Sequence, residues 1–534
     1  MTTRTYQSST TRPSGAAPSA RWLALAVLCV SLLMVNLDNL VLNVALPTLV
    51  RDLHATTTEL QWVVDAYVIV FAGLLLVAGS VADRIGRKRV FIAGLVAFAA
   101  GSTWAAFSGS VGMLIAARAS MGIGGAMMMP STLAIITNLF SDSGERQRAI
   151  GLWAGTTGVG IALGPIVGGL LLSRFWWGSV FLINVPVAVL GAVLALRLVP
   201  ESRNPAALAP DFTGALMSIA GLGLLLWSLI EAPVRGWTSP LVLAAGAAGL
   251  ATLALFAAWE HRSSHPMLDM RFFRNRRFSA AVASVGLVTF GLFGALFALT
   301  QYLQFSLGYS ALQAGLRVLP AAGAIAVVAP LSTVLVRLVG TKVTAAAGLL
   351  IIGGGLWQIS TASAATTFAG IVVGIIMLGA GAGLAIPSAT ESVMGSLPGD
   401  HVGVGSAANG AFLQVGGALG VAIIGSLLNT RYQDIMSGAL APFHVPHSVM
   451  AAVLGSIGGA LGVAGHVGGF LGAELAHVSK TAFASGMDLG LEVGAAVAMA
   501  GVVIALLALP SRENGRQPAD GGETGTTRDA TGSQ

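Results

Sequence analysis

The ionisable residues inside long apolar segments of this 534-residue chain include Asp38, Asp65 and Arg118. A charged side chain at such a depth is costly, so residues of this kind face a protein interior or a water-filled path and usually have a function. A carboxylate in this position is suited to taking up and releasing a proton. We therefore predict a proton-exchange role for Asp38, which lies about two-thirds along the first apolar run.

Each of the three residues also has a structural interpretation, which the sequence leaves open. The Asp38 carboxylate could belong to a hydrogen-bond cluster with the neighbouring Asn36, Asn39 or Asn43. Asp65, five residues into the second apolar run, is either a proton-entry site or a solvated end charge. Arg118 has no acidic residue near it in sequence, so its partner must lie on another helix, either for proton exchange or as a structural clamp.

The composition is that of a polytopic membrane protein. Apolar residues make up 55% of the chain and charged residues 9%, against about 25% charged in an ordinary soluble domain. Seventy glycines suit helices that approach closely in lipid through small faces. The net charge of +6 comes from loop residues, so we explain it by membrane topology and expect no nucleic-acid partner. The single cysteine, Cys29, excludes an intrachain disulfide.

Hydropathy predicts an all-α integral membrane fold, because a crossing needs about 20 apolar residues. The fourteen predicted transmembrane helices are 22–46, 60–82, 90–108, 111–133, 147–172, 178–198, 212–231, 239–259, 278–303, 311–336, 344–362, 367–393, 403–428 and 489–509. With the N-terminus inside, 21 of the 28 Lys and Arg fall on the cytoplasmic side and five on the outer side. This asymmetry predicts that both termini are cytoplasmic.

An internal repeat divides these spans into two halves. Met129-Pro130-Ser131 in span 4 resembles Ile386-Pro387-Ser388 in span 12, an offset of eight spans. We therefore predict two six-helix bundles separated by two inserted helices and a cytoplasmic linker. Parallel repeats of this kind place a substrate site at their interface, near mid-membrane. The predicted divisions are a cytoplasmic polar arm at 1–21, bundles at 22–198 and 278–509, the insertion at 199–277 and a disordered tail at 510–534.

The longest predicted connection is the outer loop 432–488. Its stretch 450–476 is apolar and Gly-rich enough to imitate a span. A fifteenth crossing would put the C-terminal arginines outside the cell, so we expect an interfacial or re-entrant segment instead.

The turn between spans 2 and 3 carries five charges within residues 79–89. A carboxylate at the end of one helix can pair with guanidinium groups at the start of its neighbour and so hold one conformation until the pair is released. We interpret this turn as a cytoplasmic conformational latch, formed by Gly79, Asp83, Arg84, Gly86, Arg87 and Lys88.

Span 5 carries a glycine face in which Gly160, Gly164 and Gly168 recur every four residues. These glycines allow another helix to approach closely, and Pro165 beside them removes a backbone hydrogen bond and permits a bend.

Together these motifs resemble the major facilitator superfamily, specifically its fourteen-span drug:proton antiporter branch, over residues 20–510. The resemblance implies the major facilitator fold and export of drug-like or antibiotic compounds across the plasma membrane, by alternating access and driven by the proton gradient without another cofactor. Four motifs, in the expected spans and order, carry this resemblance. The first is the charged turn after span 2. The others are Leu37-Asp38-Asn39-Leu40-Val41-Leu42-Asn43-Val44-Ala45-Leu46-Pro47 in span 1, Leu114-x-x-x-Arg118-x-x-x-Gly122-x-Gly124-Gly125-Ala126 in span 4 and Gly160-x-x-x-Gly164-Pro165-x-x-Gly168-Gly169 in span 5.

The resemblance implies a proton-transfer role for Arg118, and with Asp38 and Asp65 it forms the predicted proton-coupling set. The residues expected to contact substrate are Glu391, Asn43, Gln301 and Tyr302. Glu391 attracts a cationic cargo or carries a proton, unless its helix ends early and leaves it an end charge. Gln301 and Tyr302 are placed to line a polar vestibule at the outer end of span 9. We expect a monomer whose partners are a small-molecule substrate, protons and the bilayer.

Three positions depart from the pattern of that branch. Leu40 replaces the usual threonine, Met121 replaces a frequent glutamine, and Leu413 replaces an arginine carried by many relatives. Some polar contacts beside the pathway are therefore missing, which affects the substrate rather than the family.

Other functions remain open at this stage. They include export of an endogenous metabolite, proton-coupled import, a channel and a polytopic membrane enzyme. The enzyme is disfavoured because the pairs His261/His265 and His444/His447 lack a third ligand, and because the chain has no phosphate-binding loop. We therefore expect no metal and no ATP.

Overall fold

The computed structural model describes residues 18–140, 142–203, 209–263, 266–397 and 402–509, within which every regular element is a helix. The predicted tail, 510–534, and most of the predicted arm, 1–21, lie outside these residues. The α-helices are α1 (Pro18–Leu53), α2 (Thr57–Ile85), α3 (Arg87–Ala106), α4 (Val111–Leu139), α5 (Ser143–Arg174), α6 (Ser179–Leu182), α7 (Asn184–Leu198), α8 (Phe212–Arg235), α9 (Pro240–Arg262), α10 (Arg276–Gln301), α11 (Ala311–Val339), α12 (Thr341–Ser360), α13 (Phe368–Gly395), α14 (Val402–Leu440), α15 (His447–Gly455), α16 (Ile457–Val467) and α17 (Gly469–Ala508).

The predicted spans coincide with these helices, and α6 and α7 together form the sixth. In the described chain, 13 helices are long and apolar enough to cross a membrane. The other predicted span, 147–172, is α5, of which Ala162–Arg174 counts as a shorter apolar helix. The all-α membrane fold predicted from the sequence is confirmed.

Several helices extend beyond their apolar runs. α1 begins at Pro18, α14 continues to Leu440, and α17 begins at Gly469. The predicted loop 432–488 is therefore mostly helical, because hydropathy marks the apolar part of a helix and not its end. Within it, α15 and α16 have nine and 11 residues, fewer than the roughly 20 that a crossing needs.

Close helix approach depends on small residues. A Cβ atom on Gly124 of α4 would lie 2.6 Å from the backbone nitrogen of Phe98 on α3, and one on Gly381 of α13 would lie 2.5 Å from the carbonyl oxygen of Gly348 on α12. Helices in lipid gain little from the hydrophobic effect, so this backbone contact supplies much of their attraction.

The same helix pairs recur along the chain. α1 packs against α5 and α4 packs against α2 and α3, while α10 packs against α14 and α13 packs against α11 and α12. We call α1–α7 the first half, α10–α14 with α17 the second half, and α8–α9 the inserted hairpin. α8 contacts both α2 and α14, so the hairpin lies along one seam between the halves.

The bundle has two ends. We call the end at which α1 begins the arginine-rich face, because the charged turn between α2 and α3 lies there. The other end is the opposite face, where α1 ends and where α16 packs against α1 and α17.

Candidate functional site

A buried ion pair joins α1 to α4. Arg118 Nη1 donates to Asp38 Oδ2, and the two residues are only 0% and 2% exposed. The second carboxylate oxygen, Oδ1, accepts a hydrogen bond of 2.8 Å from Asn184 Nδ2 at the start of α7. The partner that the sequence required for Arg118 on another helix is therefore Asp38. Three helices of the first half meet at this carboxylate.

The rest of the guanidinium is also engaged. Arg118 Nε donates to the Val63 carbonyl oxygen on α2 at 3.1 Å, and Nη2 lies 3.5 Å from Asn39 Oδ1. The guanidinium carbon lies 4.5 Å from the centre of the Tyr67 ring, a cation–π distance. Met121, one of the departures from the family pattern, presents its sulfur 4.0 Å from Nη1. Arg118 is thus fixed by α1, α2 and its own helix.

The surroundings of the pair are apolar. A cavity of about 90 Å³ lies beside Asp38, between α1, α5 and α7. Its walls are aliphatic apart from Asp38 and Asn184. In such surroundings, loss of one member of the pair leaves an uncompensated buried charge, which typically costs about 3–5 kcal/mol.

Asp65 lies apart from this pair. It is fully buried in α2, and neither carboxylate oxygen has a hydrogen-bond partner among the described residues. One turn earlier on the same helix, Gln61 faces α14. The structure therefore joins two of the three predicted proton-coupling residues, whereas Asp65 makes no hydrogen bond or ion pair with either of them within the described chain.

The predicted substrate residues do not form one cluster. Asn43 donates to the Asn39 carbonyl oxygen within α1, at 2.9 Å. Gln301 and Tyr302 are fully buried, and Tyr302 donates through its hydroxyl to the Ser363 carbonyl oxygen at 2.7 Å. Glu391 is exposed on α13, four residues before that helix ends. Their substrate contacts stay a prediction.

The predicted latch is held by contacts within the first half. Arg87 Nε binds Asp83 Oδ1 at 2.7 Å, and Arg87 Nη1 donates to the Ala134 carbonyl oxygen on α4 at 3.2 Å. Lys88 Nζ donates to the Leu196 carbonyl oxygen at the end of α7, at 2.8 Å. Arg84 is exposed. The turn therefore ties α2 and α3 to α4 and α7.

A partner that we did not predict also holds this turn. Glu201 Oε1 accepts the backbone N–H of Lys88 at 3.2 Å, and Glu201 Oε2 lies 3.6 Å from Arg89 Nε. Gly86 has φ +130°, and a Cβ there would lie 2.7 Å from Glu201 Oε1. The positive φ favours glycine at this position, because residues with a side chain rarely adopt it.

The glycine face of α5 faces α1. A Cβ on Gly164 would lie 2.5 Å from the Leu40 Cβ, and one on Gly168 would lie 3.1 Å from Val41 Cγ1. On another side of the helix, a Cβ on Gly169 would lie 2.5 Å from the Leu312 Cα of α11. α5 thus contacts α1 in its own half and α11 in the other half.

Amide side chains join the halves toward the opposite face. Gln61 Nε2 of α2 lies 3.0 Å from the carbonyl oxygens of Val421 and Ala422 on α14. Gln304 Nε2, just after α10, donates to the Val44 carbonyl oxygen of α1 at 2.9 Å. These bonds close the space between the halves at that end.

Three of these functional contacts were missed at the level of the sequence. In the sequence, Asn184 is a lone amide in the sixth apolar run and Glu201 is an acid just after that run. Gln61 is an amide near the start of span 2. Their partners are backbone groups or distant helices, so sequence spacing gives no signal for them.

Comparison with known proteins identifies the fold and the family. The family model described as Major Facilitator Superfamily matches residues 28–421. The chain belongs to this superfamily. A bacterial homologue of the human lysosomal transporter Spinster, solved in an inward-facing and unoccupied conformation, has a similar fold, with a TM-score of 0.63 at 17% identity, covering 93% of this chain and 100% of that one.

Similar superfamily members at higher identity include pumps and resistance proteins. Multidrug efflux pump LfrA of Mycolicibacterium smegmatis is 37% identical over 78% of this chain and 82% of its own length. The tetracenomycin C resistance and export protein of Streptomyces glaucescens is 31% identical over 93% of this chain and 94% of its own length. The chain is therefore a multi-pass membrane protein of a transporter superfamily whose members generally need no cofactor.

The histidines add no metal site to this picture. Within the described part of the chain, no group of three or more His, Cys, Asp and Glu is placed to hold a metal ion. His265, one member of a pair considered above, lies outside that part. The absence of a metal stays a prediction.

Proposed function

We propose that this chain exports drug-like or antibiotic compounds across the plasma membrane in exchange for protons. The observation that carries the proposal is the buried Asp38–Arg118 pair, in a chain similar to drug and antibiotic export proteins. The proton gradient is its only energy source, it has no enzymatic activity, and it acts as a monomer. Its arginine-rich face and both termini are cytoplasmic, as the distribution of Lys and Arg indicates.

Proton binding at Asp38 starts the conformational step. The neutral carboxyl no longer holds Arg118 as an ion, so the contact between α1 and α4 weakens. α1 also lies against the α5 glycines, and α5 contacts α11 in the other half. A change at Asp38 therefore reaches the seam between the halves through two directly packed helices.

The contacts between the halves fit a carrier that is closed at the opposite face. Gln61 and Gln304 bind backbone oxygens of the other half there. We propose that opening to the outside requires these bonds to break. We propose that the contacts of the latch turn to α4 and α7 stabilise the state closed at the opposite face and loosen when the carrier opens there.

The charge of the cargo is recognised by a residue outside the proton-coupling pair. Glu391 is exposed on α13 near the arginine-rich face, where a cationic cargo would approach from the cytoplasm. We propose that it attracts cations, so Glu391→Gln should weaken export of cations and spare neutral compounds.

The test uses inverted membrane vesicles that contain the chain and an imposed pH gradient, acidic inside. The proposal predicts accumulation of a cationic dye and of a neutral antibiotic, with loss of both on adding a protonophore. The Glu391→Gln variant should lose accumulation of the dye only. Asp52→Asn, an exposed change at the end of α1, is the control. Accumulation that ignores the pH gradient, or that runs in the opposite direction, would reject proton-driven export.

A further inference from the structure

A second cavity lies away from the ion pair, under the inserted hairpin. It has a volume of about 300 Å³ and is bounded by α2, α8, α9, α14 and the segment between α9 and α10. Its walls are almost wholly apolar and include Leu76, Leu222, Phe256, Met270 and Phe412. A pocket of this size and character can take part of an apolar molecule.

The cavity is next to the membrane. α9, which forms one wall, is the least buried of the candidate spans, with 11% of its most apolar stretch covered by protein. Leu250 and Leu255 on this helix are 59% and 61% exposed. The hairpin therefore separates the cavity from lipid by a single helix layer.

The short 3-10 helix at the edge of the cavity has two chemically different sides. It spans Met270–Arg274, and residues three apart in such a helix lie above one another. Met270 and Phe273 line the cavity, and Phe273 packs 5.9 Å from the Phe412 ring. Arg271 and Arg274 form the other side and are exposed. Apolar space and positive charge thus meet at one edge.

Acidic groups near this edge are turned toward the protein. Asp269 accepts the Arg271 backbone N–H at 2.8 Å, and Asp211 accepts Trp259 Nε1 at 2.7 Å. Glu260 accepts the Leu268 backbone N–H at 3.0 Å. Within the described residues, no ion pair involves Arg271 or Arg274, and both residues are exposed at the arginine-rich face.

We propose that this cavity is a binding site for an anionic phospholipid of the bilayer. An acyl chain occupies the apolar space under the hairpin, and the phosphate binds Arg271 and Arg274 at the membrane surface. Basic side chains beside a gap between membrane helices are the chemistry that recognises an anionic headgroup. Because α2 and α14 form both the cavity wall and the seam between the halves, the lipid ties the hairpin to that seam.

The test measures lipid binding to the full chain in neutral detergent by native mass spectrometry. Phosphatidylglycerol and phosphatidylcholine with the same acyl chains are titrated separately. We expect phosphatidylglycerol to bind at least tenfold more tightly. The double variant Arg271→Gln/Arg274→Gln should weaken phosphatidylglycerol about 30-fold, since each basic side chain near an anionic surface contributes about fivefold. Arg203→Gln, an exposed change on the same face, should have no effect.

A second pair of variants tests the apolar part of the site. Ala257→Trp fills the cavity, whereas Ala258→Trp, one residue later, is exposed. The first should abolish tight binding of phosphatidylglycerol and the second should leave it unchanged. Equal binding of both lipids by the unaltered chain, or a double arginine variant that binds phosphatidylglycerol normally, would overturn the proposal. The proposal would also be overturned if a cationic dye displaced the lipid one for one and lost its own binding in Ala257→Trp. The cavity would then be a binding site for cargo. Lipid binding is independent of proton-driven export, so either proposal can fail alone.

Discussion

At the scale of single residues, the buried pair depends on the shape of the guanidinium. Arg118 uses separate nitrogens for Asp38, for the Val63 carbonyl oxygen and for Asn39. A planar fork can satisfy these three directions at once, whereas an ammonium is a point charge on a flexible chain. The site therefore requires arginine, and not only a positive charge.

We expect Arg118→Lys to lose most active export and Arg118→Ala to lose all of it, for cationic and neutral cargo alike. In Arg118→Ala, Asp38 loses its buried counter-charge, and in Arg118→Lys the charge stays but the forked geometry is lost. Export of one dye and one antibiotic from energised vesicles measures this, with Arg174→Lys, an exposed arginine at the end of α5, as control. Loss confined to one kind of cargo would show that Arg118 contacts substrate instead.

The amide of Asn184 is the second support of Asp38. Asn184→Ala removes the donor to Oδ1 and should destabilise the folded chain by about 1.5–3 kcal/mol, as expected for a hydrogen bond to a charged group. Thermal unfolding in detergent measures the change. Ser102→Ala is the matched control, because it removes only the 3.3 Å hydrogen bond that the same Nδ2 donates to the Ser102 hydroxyl. Equal effects in the two variants would mean that Asn184 does not support the carboxylate.

At the scale of elements, α5 packs against α1 through small residues. Gly164 lies against Leu40 of α1, while at Gly155, nine residues earlier, no described atom outside its own turn of helix lies within 4 Å of the Cβ position. Alanine favours a helix over glycine by about 1 kcal/mol where there is room. The same substitution should therefore have opposite consequences at the two positions.

We expect Gly164→Ala to lower export strongly and to reduce thermal stability, because its Cβ would meet the Leu40 Cβ at 2.5 Å. Gly155→Ala should keep normal export and equal or higher stability. Export rate and melting temperature of the two variants, measured side by side, check this. Normal function in Gly164→Ala would contradict a tight α1–α5 contact.

The latch turn should affect motion more than stability. Asp83 and Arg87 are partly exposed, and pairs of that kind contribute only about 0.2–1 kcal/mol. We therefore expect Asp83→Asn to keep cargo affinity and melting temperature while export slows severely. Cysteine labelling on the two faces, in a Cys29→Ser background, should show a changed balance of states. Weaker binding with an unchanged balance would make Asp83 a ligand.

At the scale of the whole molecule, the sequence was sufficient for the membrane fold and the family. Apolar runs located the spans, and the offset between Pro130 and Pro387 indicated two related halves. The sequence could not give the end of α14 or the start of α17, because both helices extend in polar turns beyond the apolar stretch that hydropathy detects. It also could not give Asn184 or Gln61 as partners, since their contacts are set by how distant helices pack.

The measurement that tests the central claim most directly is proton release when cargo binds to purified chain in weakly buffered detergent. The account predicts that a cationic dye displaces protons from unaltered chain that was first loaded with protons at acid pH, when the Asp38–Arg118 pair is open. It also predicts that Asp38→Asn binds the dye but releases none, because the amide keeps the volume of the side chain and cannot carry a proton. Asp65→Asn, measured beside it, shows whether the second buried carboxylate contributes. Unchanged proton release from a well-folded Asp38→Asn variant would contradict the account.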